Sequence, residues 1–179
     1  MTEPKRRLSE LIADPSYVEG LPERSTDDLK GMRDEASELE NELSFERRLC
    51  QARLDILSAE LDHRAGRVEG DVISRLPQIL ADDSPSESSS PLPRRPPDFS
   101  MPRTTEIPRR RVEEIVGETT LARLTKMPEE QIRSSIEAVA EHERNLSANR
   151  KRVHEVLDLI QAEMVKRYAS GEADADLVS

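Results

Sequence analysis

Five residues between Glu40 and Asp55 have side chains of the types able to hydrogen-bond a ligand: Glu40, Ser44, Arg47, Gln51 and Asp55, spaced by four, three, four and four residues. On an α-helix those steps confine all five to an arc of roughly 80° along about 22 Å of axis. The chain then repeats the line at Glu143, Ser147, Arg150, His154 and Asp158, each 103 residues beyond its counterpart, as from 40 to 143 and from 55 to 158. Four of the five residue types are identical, and Gln51 is exchanged for His154. Two matching polar stripes in one chain describe a near-symmetric binding surface.

The chemistry of each stripe favours a guanine nucleotide. A carboxylate such as Asp55 or Asp158 accepts two hydrogen bonds from guanine N1–H and its exocyclic amine, a pairing that adenine cannot offer. Arg47 and Arg150 can donate bidentately to guanine O6 and N7 or to phosphate oxygens. Ser44 and Ser147 are small enough to let a base or phosphate approach while still donating. Gln51 serves either edge. Glu40 and Glu143 would repel phosphate, so orienting an arginine or reading a base edge is the role expected of them. Nowhere do a nucleophile, a base and an orienting group cluster, so a binding protein is expected and an enzyme is not. His154 has no Cys or second His one turn away, which argues against a metal site.

The elements that must hold these stripes are long helices. Ser25 or Thr26 caps the first, with Asp27 and Asp28 in its opening turn. Its apolar seam runs Leu29, Ala36, Leu43, Cys50, Leu57 at one heptad position and Leu54, Leu61, Val68 at another. Gly66 and Gly70 weaken it, and Pro77 should end it near residues 70–76. The last long helix begins near Met127-Pro128, with Ile132, Val139, Leu146, Val153, Ile160 at one seam position and Ile136, Leu157, Met164 at the other, and Gly171 stops it. Around them the expected organisation is an N-terminal segment with a short helix over residues 1–25 and a first coiled-coil helix over 26–80. A Pro/Ser/Arg-rich disordered linker follows over 81–111, a short helix over 112–126, the second coiled-coil helix over 127–170 and an acidic tail over 171–179.

At the 103-residue offset the seams superimpose as well, Leu29 on Ile132 and Leu43 on Leu146. The expected fold is therefore all-α, an antiparallel two-helix coiled-coil hairpin. Glu40, Arg47, Glu143 and Arg150 fall at seam positions, where polar groups must set register or bind something. Two registers suit the near-symmetry. If paired residue numbers add to about 190, Glu40 meets Arg150, Arg47 meets Glu143, and the seam neutralises itself. If they add to about 197, Arg47 meets Arg150 and the paired cations call for an anion. The second is the register expected here.

Composition agrees with such a scaffold. Of 179 residues 36% are charged, 35% hydrophobic and 2% aromatic, a mixture that suits amphipathic helices rather than a thick core. The net charge of −10 disfavours a nucleic-acid partner and favours a basic protein, including one that itself binds DNA. Cys50 is the only cysteine, Lys5, Arg6 and Arg7 precede no apolar run, and no stretch reaches the length of a membrane span, so the expected location is the cytoplasm.

At the ten stripe residues the sequence resembles the RsiG family of anti-sigma factors of sporulating actinobacteria. That family is recognised by Glu-x3-Ser-x2-Arg-x3-Gln-x3-Asp on each helix of an antiparallel coiled coil. The first stripe matches in full, and the second departs at His154, whose charge would make binding sensitive to pH. The resemblance implies that Glu40, Ser44, Arg47, Gln51, Asp55, Glu143, Ser147, Arg150, His154 and Asp158 bind cyclic di-GMP, as a pair of molecules. It also implies that the loaded hairpin captures the sporulation sigma factor WhiG, a flagellar-type sigma, and keeps it from RNA polymerase. The alternative that the residues leave open is a structural coiled-coil adaptor without nucleotide.

Overall fold

The computed structural model describes residues 14–67 and 110–170, and these form an all-α structure. Two one-turn 3-10 segments, Pro15–Val18 and Leu21–Glu23, lead into α1 (Thr26–Arg64). Two short helices, α2 (Arg111–Ile115) and α3 (Glu118–Ala122), and a third 3-10 turn, Leu124–Lys126, lead into α4 (Glu129–Ser170). The stretch 112–126, expected as one short helix, is thus two helices and a turn. The linker expected at 81–111 (apart from its last two residues), the acidic tail and the Leu8 to Ile12 pattern lie outside the described residues.

Local chemistry sets the ends of α1. Ser25 Oγ accepts from the Asp28 N–H at 3.1 Å, while the Ser25 N–H and hydroxyl donate to Asp28 Oδ2 at 3.3 and 2.7 Å, a reciprocal cap. These Ser25 bonds hold the Asp28 carboxyl below the ordinary carboxylate range. At the other end the helix stops sooner than the expected 70–76. Gly66 takes φ +67°, its N–H bonds to the His63 carbonyl at 3.0 Å, and the Arg67 N–H bonds to the Asp62 carbonyl at 3.0 Å. This is a Schellman stop, and it requires the left-handed conformation that glycine adopts without a Cβ clash. Gly66 therefore terminates α1 rather than merely weakening it.

The chain divides into two compact units, Met1–Ser44 with Ser147–Ser179, and Phe45–Leu146. In the first, the opening half of α1 lies antiparallel to the closing half of α4. Leu21, Leu29, Met32, Ala36, Leu39, Val153, Val156 and Ile160 form its buried cluster, with Tyr17, Val18, Leu43, Leu157 and Met164 packed against it. Tyr17 also pins the entering turn to α1. Its hydroxyl bonds to Glu35 at 3.2 Å and to the Met32 carbonyl at 3.4 Å, and burial with the Glu35 charge pushes the phenol up to about 12.

In the second unit the closing half of α1 meets the opening half of α4, again antiparallel. Its buried residues are Cys50, Leu57, Ala59 and Glu60 from α1, Val112 from α2 and Val116 just after it, Leu124 from the turn, and Ile132, Val139 and Leu146 from α4. Arg110 crosses the Phe45 ring at 4.6 Å from its centroid, tying the residue that precedes α2 to α1.

Both units close with the same arginine latch. In the first, Arg167 on α4 donates from Nε to Glu163 Oε1 at 3.0 Å and from Nη2 to the carbonyls of Leu21 and Pro22 at 2.8 and 3.1 Å. In the second, Arg64 on α1 donates from Nε to Glu60 at 2.7 Å and from Nη2 and Nη1 to the carbonyls of Leu124 and Met127 at 2.8 and 2.6 Å. Leu21 and Leu124, Glu60 and Glu163, and Arg64 and Arg167 all obey the 103-residue offset. The internal repeat thus reaches from the turn before each long helix to the last turn of that helix, well beyond the stripes.

Candidate ligand-binding stripes

Each unit contains a cross-helix arginine–glutamate pair of stripe residues. In the first unit, Arg150 Nε donates to Glu40 Oε1 at 2.8 Å. The same oxygen accepts from Ser44 Oγ at 2.6 Å and lies 3.4 Å from His154 Nε2. Burial pushes the Glu40 carboxyl upward, but the His154, Ser44 and Arg150 contacts outweigh it and bring the group down to about 2. In the second unit, Arg47 Nε donates to Glu143 Oε1 at 2.8 Å.

The residue numbers in each pair, 40 with 150 and 47 with 143, add to 190. The register expected from sequence, with Arg47 against Arg150, is therefore not the one formed. The reason is electrostatic: opposed arginines in a half-buried seam would repel, whereas each arginine here meets a carboxylate. The carboxylates are the more buried partners, 18% and 19% exposed for Glu40 and Glu143, and the arginines the more open, 36% and 33% for Arg150 and Arg47. What solvent meets at each pairing is thus mainly the guanidinium. Nε is one of five N–H donors on such a group, so engagement by a carboxylate does not exhaust its capacity to donate.

The remaining stripe residues take two environments. Ser44, Ser147 and Gln51 are half-buried, while Asp55, His154 and Asp158 are exposed. Glu40, Ser44, Ser147, Arg150, His154 and Asp158 belong to the first unit, and Arg47, Gln51, Asp55 and Glu143 to the second. Each unit holds an arginine, a seam glutamate and an outward aspartate.

A contact beside the stripes escaped the sequence. His142 Nε2 lies 2.8 Å from Glu46 Oε1, with both side chains largely buried. Glu46 and His142 immediately precede Arg47 and Glu143, so the pair lines the neighbouring flank of the same helix contact. Its counterparts at the 103-residue offset, Leu39 and Asn149, carry no charge, which is why the repeat did not point to it.

The model of the RsiG-like family matches residues 15–80 and 118–179, two segments that together span most of the chain and hold both stripes. The chain belongs to the RsiG-like family. No curated protein matches it. For an RsiG-like chain the role suggested is that of an anti-sigma factor, with a sigma factor as the partner. Among the described residues no helix is long and apolar enough to cross a membrane. The two matched segments also coincide with the two copies of the repeat, each from its entering turn through its long helix.

Proposed function

We propose that this RsiG-like protein binds cyclic di-GMP, as a pair of molecules, on its two stripes and in that state sequesters a WhiG-type sporulation sigma factor in the cytoplasm. The observation that carries the proposal is the pair of seam arginines, Arg150 and Arg47, each oriented by a carboxylate and each the more exposed member of its pair. An arginine fixed in this way is ready to donate to guanine O6 and N7 or to a phosphodiester. The exposed carboxylates of Asp55 and Asp158 supply the acceptors that single out guanine. Ligand and sigma factor favour the same assembled state, so each tightens the other. Binding without turnover is the activity proposed.

The self-neutralising ion pairs also favour a second reading, a coiled-coil adaptor whose polar seam sets register and binds no nucleotide. Titration of the full chain with cyclic di-GMP separates the two. Ligand binding predicts a melting temperature that rises with nucleotide and stays flat in Asp55→Ala or Arg47→Ala of unchanged helix content. Equal behaviour of parent and variants supports the adaptor. Co-purification with a sigma factor, with and without nucleotide, tests the partner, and recovery of intact nucleotide after long incubation tests for turnover.

A further inference from the structure

The two stripes are not chemically equivalent, and the difference lies at the substituted position. Glu40 faces two nitrogen donors at once, Arg150 Nε at 2.8 Å and His154 Nε2 at 3.4 Å. From α1 the charged group within ion-pair distance of His154 is Glu40, and along α4 Arg150 and Asp158 stand one turn to either side of it. Among the described residues ahead of α1 the titratable side chains are Asp14, Tyr17, Glu19, Glu23 and Arg24; Tyr17 is engaged by Glu35 and the Met32 carbonyl, and Asp14 by the Ser16 N–H. His154 is half-exposed, so proton exchange with solvent is open to it. In the second unit Gln51 occupies the matching position and carries no charge at any pH.

We propose that the half of the ligand surface in the first unit takes its guanine nucleotide together with a proton on His154, while the half that carries Gln51 binds independently of pH. This rests on the guanine-nucleotide function proposed above. Two effects act in the same direction. A protonated imidazole can hold Glu40 by itself, releasing Arg150 Nε to the ligand. It also changes the local charge of Glu40, Arg150 and His154 from zero to plus one, which favours an anionic phosphodiester. Glu40 stays ionised throughout this range, because its carboxyl titrates only at about 2. Cyclic di-GMP does not titrate there either, so the pH dependence belongs to the protein.

The test is calorimetric titration of the full chain with cyclic di-GMP at about pH 6 and about pH 8, each in two buffers of different ionisation enthalpy. One of the two ligand equivalents is expected to bind about three- to tenfold more tightly at the lower pH, with net proton uptake. Histidine-to-glutamine replacement at 154 should abolish both effects and leave helix content unchanged, while His142→Gln and His63→Gln should keep them. Retention of the parent's pH dependence in His154→Gln, or affinity that rises with pH, overturns the proposal and leaves nucleotide binding intact. Absence of binding by the parent at both pH values overturns nucleotide binding itself, and the proton coupling with it.

Discussion

Arg64 and Leu124 are separated by 60 residues, and a 2.8 Å bond from guanidinium to carbonyl joins the last turn of α1 to the turn that opens the way into α4. Arg167 makes the corresponding bond to Leu21 at 2.8 Å. Long coiled helices fray at their ends, and these latches sit where fraying would begin.

Replacing either arginine with methionine keeps most of the stem and removes the donors, stranding part-buried carbonyls. Arg64→Met and Arg167→Met should each lower stability by about 1–3 kcal/mol in urea denaturation. Unchanged midpoints would mean that solvent satisfies those carbonyls equally well.

The cross-helix pairs should behave as exchangeable charges. Glu40→Arg or Arg150→Glu alone places like charges together and lowers the melting temperature, and the double exchange should recover most of the loss. Because Arg150 is partly exposed, the coupling energy from the double-mutant cycle should be modest, about 0.5–1.5 kcal/mol.

Acid should reveal Glu40. Its carboxyl moves from 4.5 to about 2 in the folded chain, burial being outweighed by His154, Ser44 and Arg150. A folded value below the unfolded one gives stability that is present above the unfolded value and lost as pH falls toward the folded value. The contribution therefore drains away between about pH 4.5 and about pH 2. Glu40→Gln should be less stable at neutral pH and show a shallower decline across that window in thermal melts.

Cys50 should be silent until the protein opens. It is fully buried, and burial followed by the charges of Glu46 and Glu143 pushes its thiol up to about 12. A disulfide reagent at pH 8 should label it only at the rate of unfolding, with full labelling in denaturing urea. Rapid labelling of the native protein would contradict its place in the seam.

Much of this architecture was legible in the residues, for identifiable reasons. Leu29, Ala36, Cys50, Leu57, Ile132, Val139, Leu146, Val153 and Ile160 recur every seven residues or at multiples of seven, and each is buried. The ten stripe residues stood out because the chain writes them twice. Register did not, because a heptad slip leaves an apolar seam apolar, and only the contact itself decides which charge meets Arg47. Met32 and Leu39 were missed because their row turns charged at Glu46, Arg53 and Glu60, and Val156 because its row on α4 is polar at Ser135, His142, Asn149 and Glu163. The latches were missed because their acceptors are backbone carbonyls, which no residue letter records. The repeat of Glu60-Arg64 as Glu163-Arg167 was the available signal.

That charged flank has a consequence for how the chain avoids misfolding. Two long helices lined with aliphatic residues can slip by a heptad at small hydrophobic cost. In the second unit such a slip in one direction would carry His142 away from Glu46 and bring it opposite Arg53, whose Nε is buried without a hydrogen-bond partner among the described residues. A mispaired hairpin would thus trade a carboxylate–imidazole contact for two nitrogen groups competing for the same dry space. The Glu46–His142 contact therefore disfavours that slipped alignment.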